Sequence, residues 1–400
     1  MIQIKPAIDY REPCPHCGCA LVPDQVLWQG IHICAVAHCP GCGAEIVGDL
    51  TVGAAIDFPY QVDRKKGLLF GSALPRAWLG KPFLTSLLNP EEDPGIRLEI
   101  EVRERRAKVV ILNCIDYLYG HSLLKLLNAQ RHLEKDAELG LILLLPRFLR
   151  WMVPAGVAEL WLVDLPLSRA QSFRPRLDRL IQVECARFEE VHVSPAWSHP
   201  ADFEVSRFTG VPRHDFKAAR FRISFVWRED RTWSSGPRGS NLLHMFGGSR
   251  RLLLAWQNRK VRRLFALLRR KFPDALFTVA GLGRTTRFPE WIEDRRVARF
   301  DEEAERRSCQ VYSESRLVIG VHGSNMLLPS GHAGLTIDLM PDDRWGNFGQ
   351  DILYQEVDVR LASYRYRFLP VGSDSSAVAR CAAGQLAGYD YFRKQMLHRK

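Results

Sequence analysis

Short apolar runs alternate with amphipathic helical segments along most of the chain, and this alternation restricts the fold more than any other feature. In the first half, buried strands are predicted at residues 108–114, 139–145, 159–163 and 190–193, with helices at 123–134, 147–153 and 172–185. Ser122 is a good N-cap for the first of these helices. Strands joined through helices pair in parallel by right-handed crossovers. We therefore predict an α/β fold whose first half is one Rossmann-like lobe.

The second half of the chain repeats the pattern. Strands are predicted at residues 221–227, 276–280, 317–321 and 335–339, and helices at 252–272 and 302–312. They predict a second Rossmann-like lobe, and we expect the two lobes to face each other across a cleft. Ligands of open α/β sheets bind beyond the carboxyl ends of the strands. The predicted strand ends carry Asp116, His121, Arg228, Arg231 and His322.

Charge and hydropathy limit the partners of the chain. Its 400 residues carry a formal net charge of +11, with a pI near 9.3, so we expect anionic partners: nucleic acid, phosphorylated small molecules or an acidic lipid surface. The sequence has no apolar stretch of about 18 residues, as a membrane-spanning helix needs, and no apolar signal core near its start. A cytoplasmic location is the expectation that follows.

Six of the ten cysteines lie in the first 42 residues. Cys14 and Cys17, and again Cys39 and Cys42, form two CPxCG knuckles, a spacing that resembles zinc ribbons. Four thiolates make a closed tetrahedral site, so we predict one structural Zn²⁺. Cys19, Cys34 and His38 are spare and can replace a predicted ligand. The ribbon predicts a metal but no function, because ribbons bind nucleic acid in some proteins and brace the fold in others.

Residues 316–341 read RLVIGVHGSNMLLPSGHAGLTIDLMP, a buried strand, a glycine turn, a short helix and a second strand. Backbone N–H groups at a helix start favour an anion. We therefore predict a cradle for the phosphates of a nucleotide at His322, Gly323, Ser324 and Asn325. The alternative is an ordinary βαβ turn in which His322 has a structural hydrogen bond.

This segment and the two-lobe pattern resemble the GT-B glycosyltransferases. More narrowly, the chain is similar to the family that contains plant xylan-modifying transferases and the extracellular O-linked N-acetylglucosamine transferase. The resemblance runs over residues 109–351 and is strongest over residues 318–341, with support from Tyr119-Gly120-His121 and from the strand ending in Trp227-Arg228. Ser324-Asn325 stands where this family tends to have Ala-Gly, and Ser330-Gly331-His332 replaces its Pro-Gly.

The resemblance implies a nucleotide-sugar donor and a role for each candidate residue. Arg228 and Arg231 would bind the diphosphate, with Arg228 preferred, and the cradle around His322 would complete the site. Asp338 would hold the ribose or cap its strand. Asp116 or His121 would take the proton of the acceptor hydroxyl, although each can instead be structural. The family also implies inversion at the sugar and catalysis without an essential metal.

The pattern and the resemblance together predict five parts of the chain. These are a zinc ribbon (residues 1–52), a linking segment (53–100), an acceptor-side lobe (101–205), a nucleotide-sugar-side lobe (206–372) and a C-terminal helix (373–400). The predicted function is transfer of a hexose or pentose to a polysaccharide or glycoconjugate, with peripheral contact to a membrane surface.

Two other functions are weighed against this one. A nucleic-acid-binding or scaffold protein that keeps a transferase-like fold would explain the ribbon and the basic charge. It is less favoured, because the sequence lacks the interleaved aromatic and basic stripe of a base-stacking surface. A phosphate-ester or nucleotide-modifying enzyme is disfavoured, because no clustered carboxylates that would hold Mg²⁺ are recognisable.

Overall fold

The computed structural model describes residues 1–217, 221–233, 250–353 and 358–397. It divides the chain into two compact units, Met1–Glu204 and Val205–Lys400. The described residues form a mixed α/β structure with two six-stranded sheets and one five-stranded sheet. Residues 234–248 of the arginine- and glycine-rich loop predicted after Arg228 lie outside the described ranges.

The strands are numbered in chain order. They are β1 (Ile2–Lys5), β2 (Val22–Trp28), β3 (Ile33–His38), β4 (Glu45–Asp49), β5 (Tyr60–Asp63), β6 (Leu68–Gly71), β7 (Leu98–Val102), β8 (Lys108–Asn113), β9 (Gly140–Pro146), β10 (Glu159–Val163), β11 (Glu190–Val193), β12 (Arg222–Trp227), β13 (Leu276–Leu282), β14 (Glu293–Val297), β15 (Ser315–Val321), β16 (Leu335–Met340) and β17 (Tyr366–Pro370).

The α-helices are numbered in the same way. They are α1 (Ala73–Pro75), α2 (Lys81–Leu88), α3 (Tyr119–Leu127), α4 (Ala129–Lys135), α5 (Pro175–Ala186), α6 (Val205–Thr209), α7 (Arg250–Lys271), α8 (Glu302–Ser313), α9 (Leu327–His332), α10 (Val359–Arg365) and α11 (Ser375–Leu397). A π-helical stretch, Arg76–Gly80, joins α1 to α2. The 3₁₀ turns are Gly53–Ile56, Arg147–Met152, Leu167–Arg169, Ser324–Met326 and Asp342–Asn347.

The large sheet of the first unit has the order β1-β11-β8-β9-β10-β7. Its four central strands are parallel, and β1 and β7 close the two edges in antiparallel pairing. Every residue of β9 and β10 is buried, as expected for parallel strands that are covered on both faces. β1 comes from the segment predicted as a ribbon, so that segment also contributes a strand to this sheet.

Strands β2 to β6 form a smaller antiparallel sheet in consecutive order. It contains the predicted hairpin, in which Val22 of β2 lies opposite His38 of β3. β5 and β6 come from the segment predicted as linking structure, and β5 pairs with β4. A small core that includes Leu27, Cys34 and Phe83 lies on this sheet.

The sheet of the second unit is parallel throughout and has the order β14-β13-β12-β15-β16-β17. Counted from β12, this is the order 3-2-1-4-5-6 of a doubly wound nucleotide-binding sheet. Phe225 and Ile319 pack in one core with side chains of α7 and α11. Val226 and Val318 face the opposite side and pack with Tyr312 of α8. From β12 the chain adds strands on one side up to β14 and on the other side from β15 onward. The switch point therefore lies at the carboxyl ends of β12 and β15.

The structure corrects some local predictions. The helix predicted at residues 123–134 is divided into α3 and α4, and α3 begins at Tyr119 after Leu118 as its N-cap residue. Ser122 is fully buried inside that helix and is not its cap, and His121 lies in the first helical turn instead of a loop. None of the helices in the described ranges combines the length and the apolar character that a membrane span requires.

Candidate functional site

The four predicted zinc ligands come together. Cys14 Sγ lies 3.6 Å from Cys42 Sγ, and Cys17 Sγ lies 3.3 Å from Cys39 Sγ. Tetrahedral Zn²⁺ with Zn–S bonds of about 2.3 Å separates its sulfurs by about 3.8 Å, so four thiolates at this spacing fit one ion. These four cysteines form a group that could hold a metal ion.

The two knuckles share one backbone design. Gly18 N–H donates to Cys14 O, and Gly43 N–H donates to Cys39 O, both at 2.9 Å. Both glycines have φ near +75° (+77° and +71°), which a residue with a side chain rarely adopts. The glycine of each CPxCG motif therefore permits the turn that brings its two cysteines together.

The three spare residues are not part of this cluster. Cys34 is fully buried in the small core, and burial raises the pKa of its thiol. His38 pairs with Asp24 at 2.8 Å. Cys19 is exposed and lies beside the second knuckle, since a Cβ added to Gly41 would lie 2.6 Å from its Sγ.

In the second unit, two predicted arginines meet the predicted cradle at the switch point. Arg228 and Arg231 follow the end of β12, and His322 follows the end of β15. Arg228 Nη1 donates to His322 O at 3.2 Å, and Arg231 Nη1 donates to the same oxygen at 2.7 Å. Both arginines therefore meet the backbone of His322, and all three residues follow predicted parallel strands.

Arg228 is largely occupied by neighbours. Its Nε donates to Asp230 Oδ1 at 2.8 Å, its Nη2 also contacts that carboxylate, and its Nη1 donates to Asn325 Oδ1 at 2.5 Å. Gln257 on α7 fixes the same turn, because its Nε2 donates to Arg228 O at 3.0 Å and its Oε1 accepts from Trp233 N. Arg228 therefore orders the turn and keeps few N–H groups for a ligand.

Arg231 donates fewer hydrogen bonds to the described residues than Arg228 does. His322 O is its hydrogen-bond acceptor within the described ranges. Burial and the positive charges of Arg228 and Arg344 lower the pKa of its guanidinium, against the opposing effect of Asp230 and Asp343. A guanidinium has five N–H donors. Arg231 therefore has donors available for an anion. An anion bound there would also offset the repulsion among the neighbouring positive charges.

Gly323 permits the close approach of the arginines. Its φ is +141°, and a Cβ at this position would lie 2.6 Å from Arg228 Nη1 and 3.1 Å from Arg231 Nη1. Ser324 after it is exposed, while Asn325 has a buried Nδ2 without a hydrogen-bond partner among the described residues. The following helix, α9, has only six residues. Its dipole is small, so the arginines dominate the positive potential here.

A buried cluster lies behind His322. The Nδ1 of His322 lies 2.9 Å from Asp338 Oδ2 on the neighbouring strand β16, and Tyr366 OH donates to the same oxygen at 2.9 Å. Asp351 Oδ2 lies 3.1 Å from that Nδ1. Asp338 is 0 % exposed, and its contacts with His322 and Tyr366 both use Oδ2. The cluster corrects the expectation that the chain has no clustered carboxylates.

Asp351 is the unusual acid of this cluster. Burial raises its pKa to about 6, with a further increase from the negative charge of Asp338. The charge of His322 and a hydrogen bond from the backbone N–H of Gly323 act in the opposite direction. The Gly323 N–H therefore faces a carboxylate of the chain itself.

The two acceptor-side candidates lie in the first unit and contact each other. Asp116 Oδ1 lies 3.3 Å from His121 Nδ1, and Asp116 Oδ2 lies 2.9 Å from Lys125 Nζ, a buried lysine on α3. Burial alone would raise the pKa of Asp116, but the charge of Lys125 and the contact with His121 hold it well below its usual range. Asp116 is thus a weak base, while the side chain of His121 is 37 % exposed and accessible to a substrate.

Several side chains that shape these sites were not predicted as site residues. They are Lys125, Asp230, Gln257, Asp351 and Tyr366. Of these, Lys125 could have been found, because a lysine nine positions after Asp116 on the apolar side of a predicted helix needs a buried partner. Asp230 lies two residues after its partner Arg228, whereas Gln257, Asp351 and Tyr366 meet their partners only through the tertiary fold.

Comparison with known proteins identifies no family for this chain. No protein-family model and no curated protein matches it. Among solved structures it is similar to Thermosulfurimonas dismutans KpsC, beta Kdo 2,4 transferase, at 12% sequence identity and a TM-score of 0.21. The match covers 47% of this chain and 49% of that chain, about half of each. So low a TM-score carries no argument about fold or activity, and the narrower family resemblance of the sequence stays a prediction.

Proposed function

We propose that the chain is a glycosyltransferase that moves a sugar from a nucleoside-diphosphate donor to a hydroxyl group of a polysaccharide or glycoconjugate. The observation that supports this most is the position of Arg231, Arg228 and His322 at the switch point of a doubly wound parallel sheet. Nucleotides bind to such sheets at the switch point. The proposal includes a GT-B architecture and the sequence family to which residues 109–351 are similar.

The proposed donor site neutralises the leaving group. As the sugar departs, negative charge collects on the diphosphate, and fixed cations stabilise it. Arg231 is the proposed diphosphate ligand, because its guanidinium keeps donors that Arg228 has used on Asp230 and Asn325. Arg228 acts mainly by ordering the turn, and the N–H groups of Ser324 and Asn325 add to the cradle. This reverses the preference for Arg228 that the sequence favoured.

The transfer is a single displacement. The acceptor oxygen bonds to the anomeric carbon while the bond from that carbon to the diphosphate oxygen breaks. The acceptor proton passes to a base of the protein, and the bonding electron pair leaves with the diphosphate. Attack opposite the leaving group inverts the anomeric configuration. The proposal requires no metal ion for these bond changes.

His121 is the proposed base, and Asp116 is a positioning residue. Asp116 faces the Nδ1 of the imidazole, so the Nε2 is left to accept the proton. The low pKa of Asp116 makes its own carboxylate a poor proton acceptor. This reproduces the arrangement of a base oriented by a carboxylate that recurs in acid–base catalysis.

The test measures thermal protection by nucleotides. UDP, GDP and CDP, free and as common sugar conjugates, are screened for a rise in the Tm of the full chain. We expect protection by at least one nucleotide and its loss in Arg231→Ala, with retention in Arg270→Ala, an exposed arginine of α7. Unchanged melting with every nucleotide, or equal protection in Arg231→Ala, would overturn the proposal.

Nucleic-acid binding stays the second candidate, and one groove favours it. The groove encloses about 640 Å³ beside α7 and is lined by Arg259, Arg262, Arg263 and Arg287 together with Trp291. None of these arginines lies within ion-pair distance of a carboxylate in the described ranges. Binding of single-stranded RNA or DNA that weakens with salt, with a smaller salt slope in Arg262→Ala/Arg263→Ala, would support this function. Absence of binding at low salt would exclude it.

A further inference from the structure

The buried cluster behind His322 brings together three side chains from separate parts of the second unit. His322 follows β15, Asp338 lies in the middle of β16, and Asp351 follows the 3₁₀ turn Asp342–Asn347. One ligand atom from each residue lies within 4.8 Å of the other two. All three residues are buried, with 4 %, 0 % and 7 % of their surfaces exposed.

The hydrogen bonds within this cluster do not satisfy its carboxylates. The Nδ1 of His322 carries at most one proton, which is directed to Asp338 Oδ2 at 2.9 Å. Asp351 Oδ2 is 3.1 Å from the same nitrogen, within ion-pair distance, but receives no hydrogen bond. Asp338 Oδ1 also has no partner among the described residues. Buried carboxylate oxygens without partners destabilise the folded state, so a positive charge placed among them would stabilise the cluster.

We propose that His322, Asp338 and Asp351 bind one divalent transition-metal ion through the imidazole Nδ1 and one oxygen of each carboxylate. A proton on Nδ1 serves one carboxylate, whereas a dication at this position attracts both. An imidazole combined with two carboxylates favours Mn²⁺, Fe²⁺, Co²⁺ or Zn²⁺ over Ca²⁺ and Mg²⁺, which prefer oxygen ligands alone. The site differs in chemistry from the four thiolates of the first unit, which favour Zn²⁺.

The neighbours of the cluster suit a metal site. Tyr366 OH donates to Asp338 Oδ2, and such a hydrogen bond to a ligating carboxylate fixes its orientation. The backbone of His322 is held in turn, because its N–H donates to Leu339 O at 3.1 Å. Asp338 therefore lies on a strand and His322 directly follows the neighbouring parallel strand, and strands are rigid elements for a metal site.

Metal binding would have two consequences for the second unit. Coordination at Nδ1 places the imidazole proton on Nε2, for which the described residues offer no acceptor, so that edge of the ring becomes a donor for an anion. The ion would also tie Asp351 and its segment to the sheet. The site would bind an ion whether or not the chain transfers sugars.

The test counts metal ions on the full chain. Protein first loaded with one equivalent of Zn²⁺ is titrated with Mn²⁺, Co²⁺ and Zn²⁺ by calorimetry, and metal content is measured after gel filtration. We expect a second equivalent in the wild type. In Asp351→Asn we expect affinity for it to fall by more than about tenfold, with the first Zn²⁺ retained. Asp342→Asn, an exposed acid of the neighbouring turn, should bind like the wild type.

Two outcomes would overturn the proposal. One is that none of the three ions binds saturably beyond the first equivalent in the wild type. The other is that a folded Asp351→Asn binds the second equivalent as tightly as the wild type. If Asp351→Asn does not fold, the wild-type stoichiometry and the absorption of bound Co²⁺ decide, because a nitrogen and oxygen site lacks the thiolate-to-cobalt charge transfer of the four-cysteine site.

Discussion

Arg231 donates to the backbone carbonyl oxygen of His322 across the ends of two adjacent parallel strands, β12 and β15, at 2.7 Å. This contact joins the turn after the first strand of a doubly wound sheet to the turn after the fourth. Arg228 donates to the same oxygen, so two guanidinium groups lie together at the switch point. Two neighbouring cations are stable when an anion lies between them, which makes this contact the centre of the proposed donor site.

Gly323→Ala should disturb both arginines at once. The new Cβ would lie 2.6 Å from Arg228 Nη1, and φ at this position is +141°. We expect the free energy of unfolding to fall by about 1–3 kcal/mol and thermal protection by nucleotides to weaken. Urea denaturation measures the stability, and thermal melting with nucleotides measures the protection. Gly346→Ala is the matched control, since nothing lies within 4 Å of its added Cβ, and an equal effect there would contradict the prediction.

Removal of zinc should unfold part of the first unit. Structural zinc sites contribute about 10 kcal/mol or more of binding free energy in small zinc peptides, and the cysteine cluster joins the two knuckles that begin and end the β2–β3 hairpin. We expect Cys39→Ser to lose one equivalent of zinc and to expose β2 and β3 to amide hydrogen exchange. Cys19→Ser changes an exposed thiol next to the cluster and should retain the zinc. Equal zinc content in both variants would show that the four cysteines are not the ligands.

Loss of one partner of the buried ion pair between Lys125 and Asp116 should destabilise the protein more than replacement of both partners. Lys125→Met leaves a buried carboxylate without its main partner, and we expect a loss of about 3–5 kcal/mol. Lys125→Met combined with Asp116→Leu should recover most of this loss, because two apolar side chains replace the pair. Lys135→Met, on the exposed surface of α4, should change stability by no more than about 0.5 kcal/mol. A double variant as unstable as Lys125→Met would contradict the prediction.

The same pair predicts a pH dependence. The pKa of Asp116 is lower in the folded chain than the value near 3.9 expected when unfolded, so its contribution is present above that value and is lost as the pH falls. We therefore expect the wild type to be more stable than Asp116→Asn at pH 7. The difference should shrink below about pH 4. Urea denaturation of both proteins at pH 7 and at a series of values below about pH 4 measures it, and a difference that grows on acidification would disprove the assignment.

Most central strands were predictable because they are apolar on both faces, as β9 and β10 are. β10 and β11 begin and end at the predicted residues, and the predicted parallel pairing is found in both large sheets. The edge strands β7 and β14 were missed. Their sequences, LEIEV and EDRRV, are rich in charged residues, so no continuous apolar run marks them.

The candidate sites were predictable to a different extent. Cys14, Cys17, Cys39 and Cys42 are recognisable because their spacing is local and their chemistry is specific. Arg228, Arg231 and His322 were expected near one another because each follows a predicted parallel strand. The cluster of Asp338 and Asp351 was not, since the carboxylate of Asp351 reaches His322 only after the segment following β16 folds back.

The first strand determines how the protein can be shortened. β1 precedes the zinc knuckles but pairs with β11, at the far end of the first unit in sequence, and covers the edge of the six-stranded sheet. The zinc module is therefore an insertion within that unit and not an appendage to it. A truncation that starts after the last knuckle would remove β1 and expose an edge containing the buried residues Val191 and Val193. Such a fragment should self-associate through this edge, whereas an internal deletion that keeps Ile2–Lys5 should not.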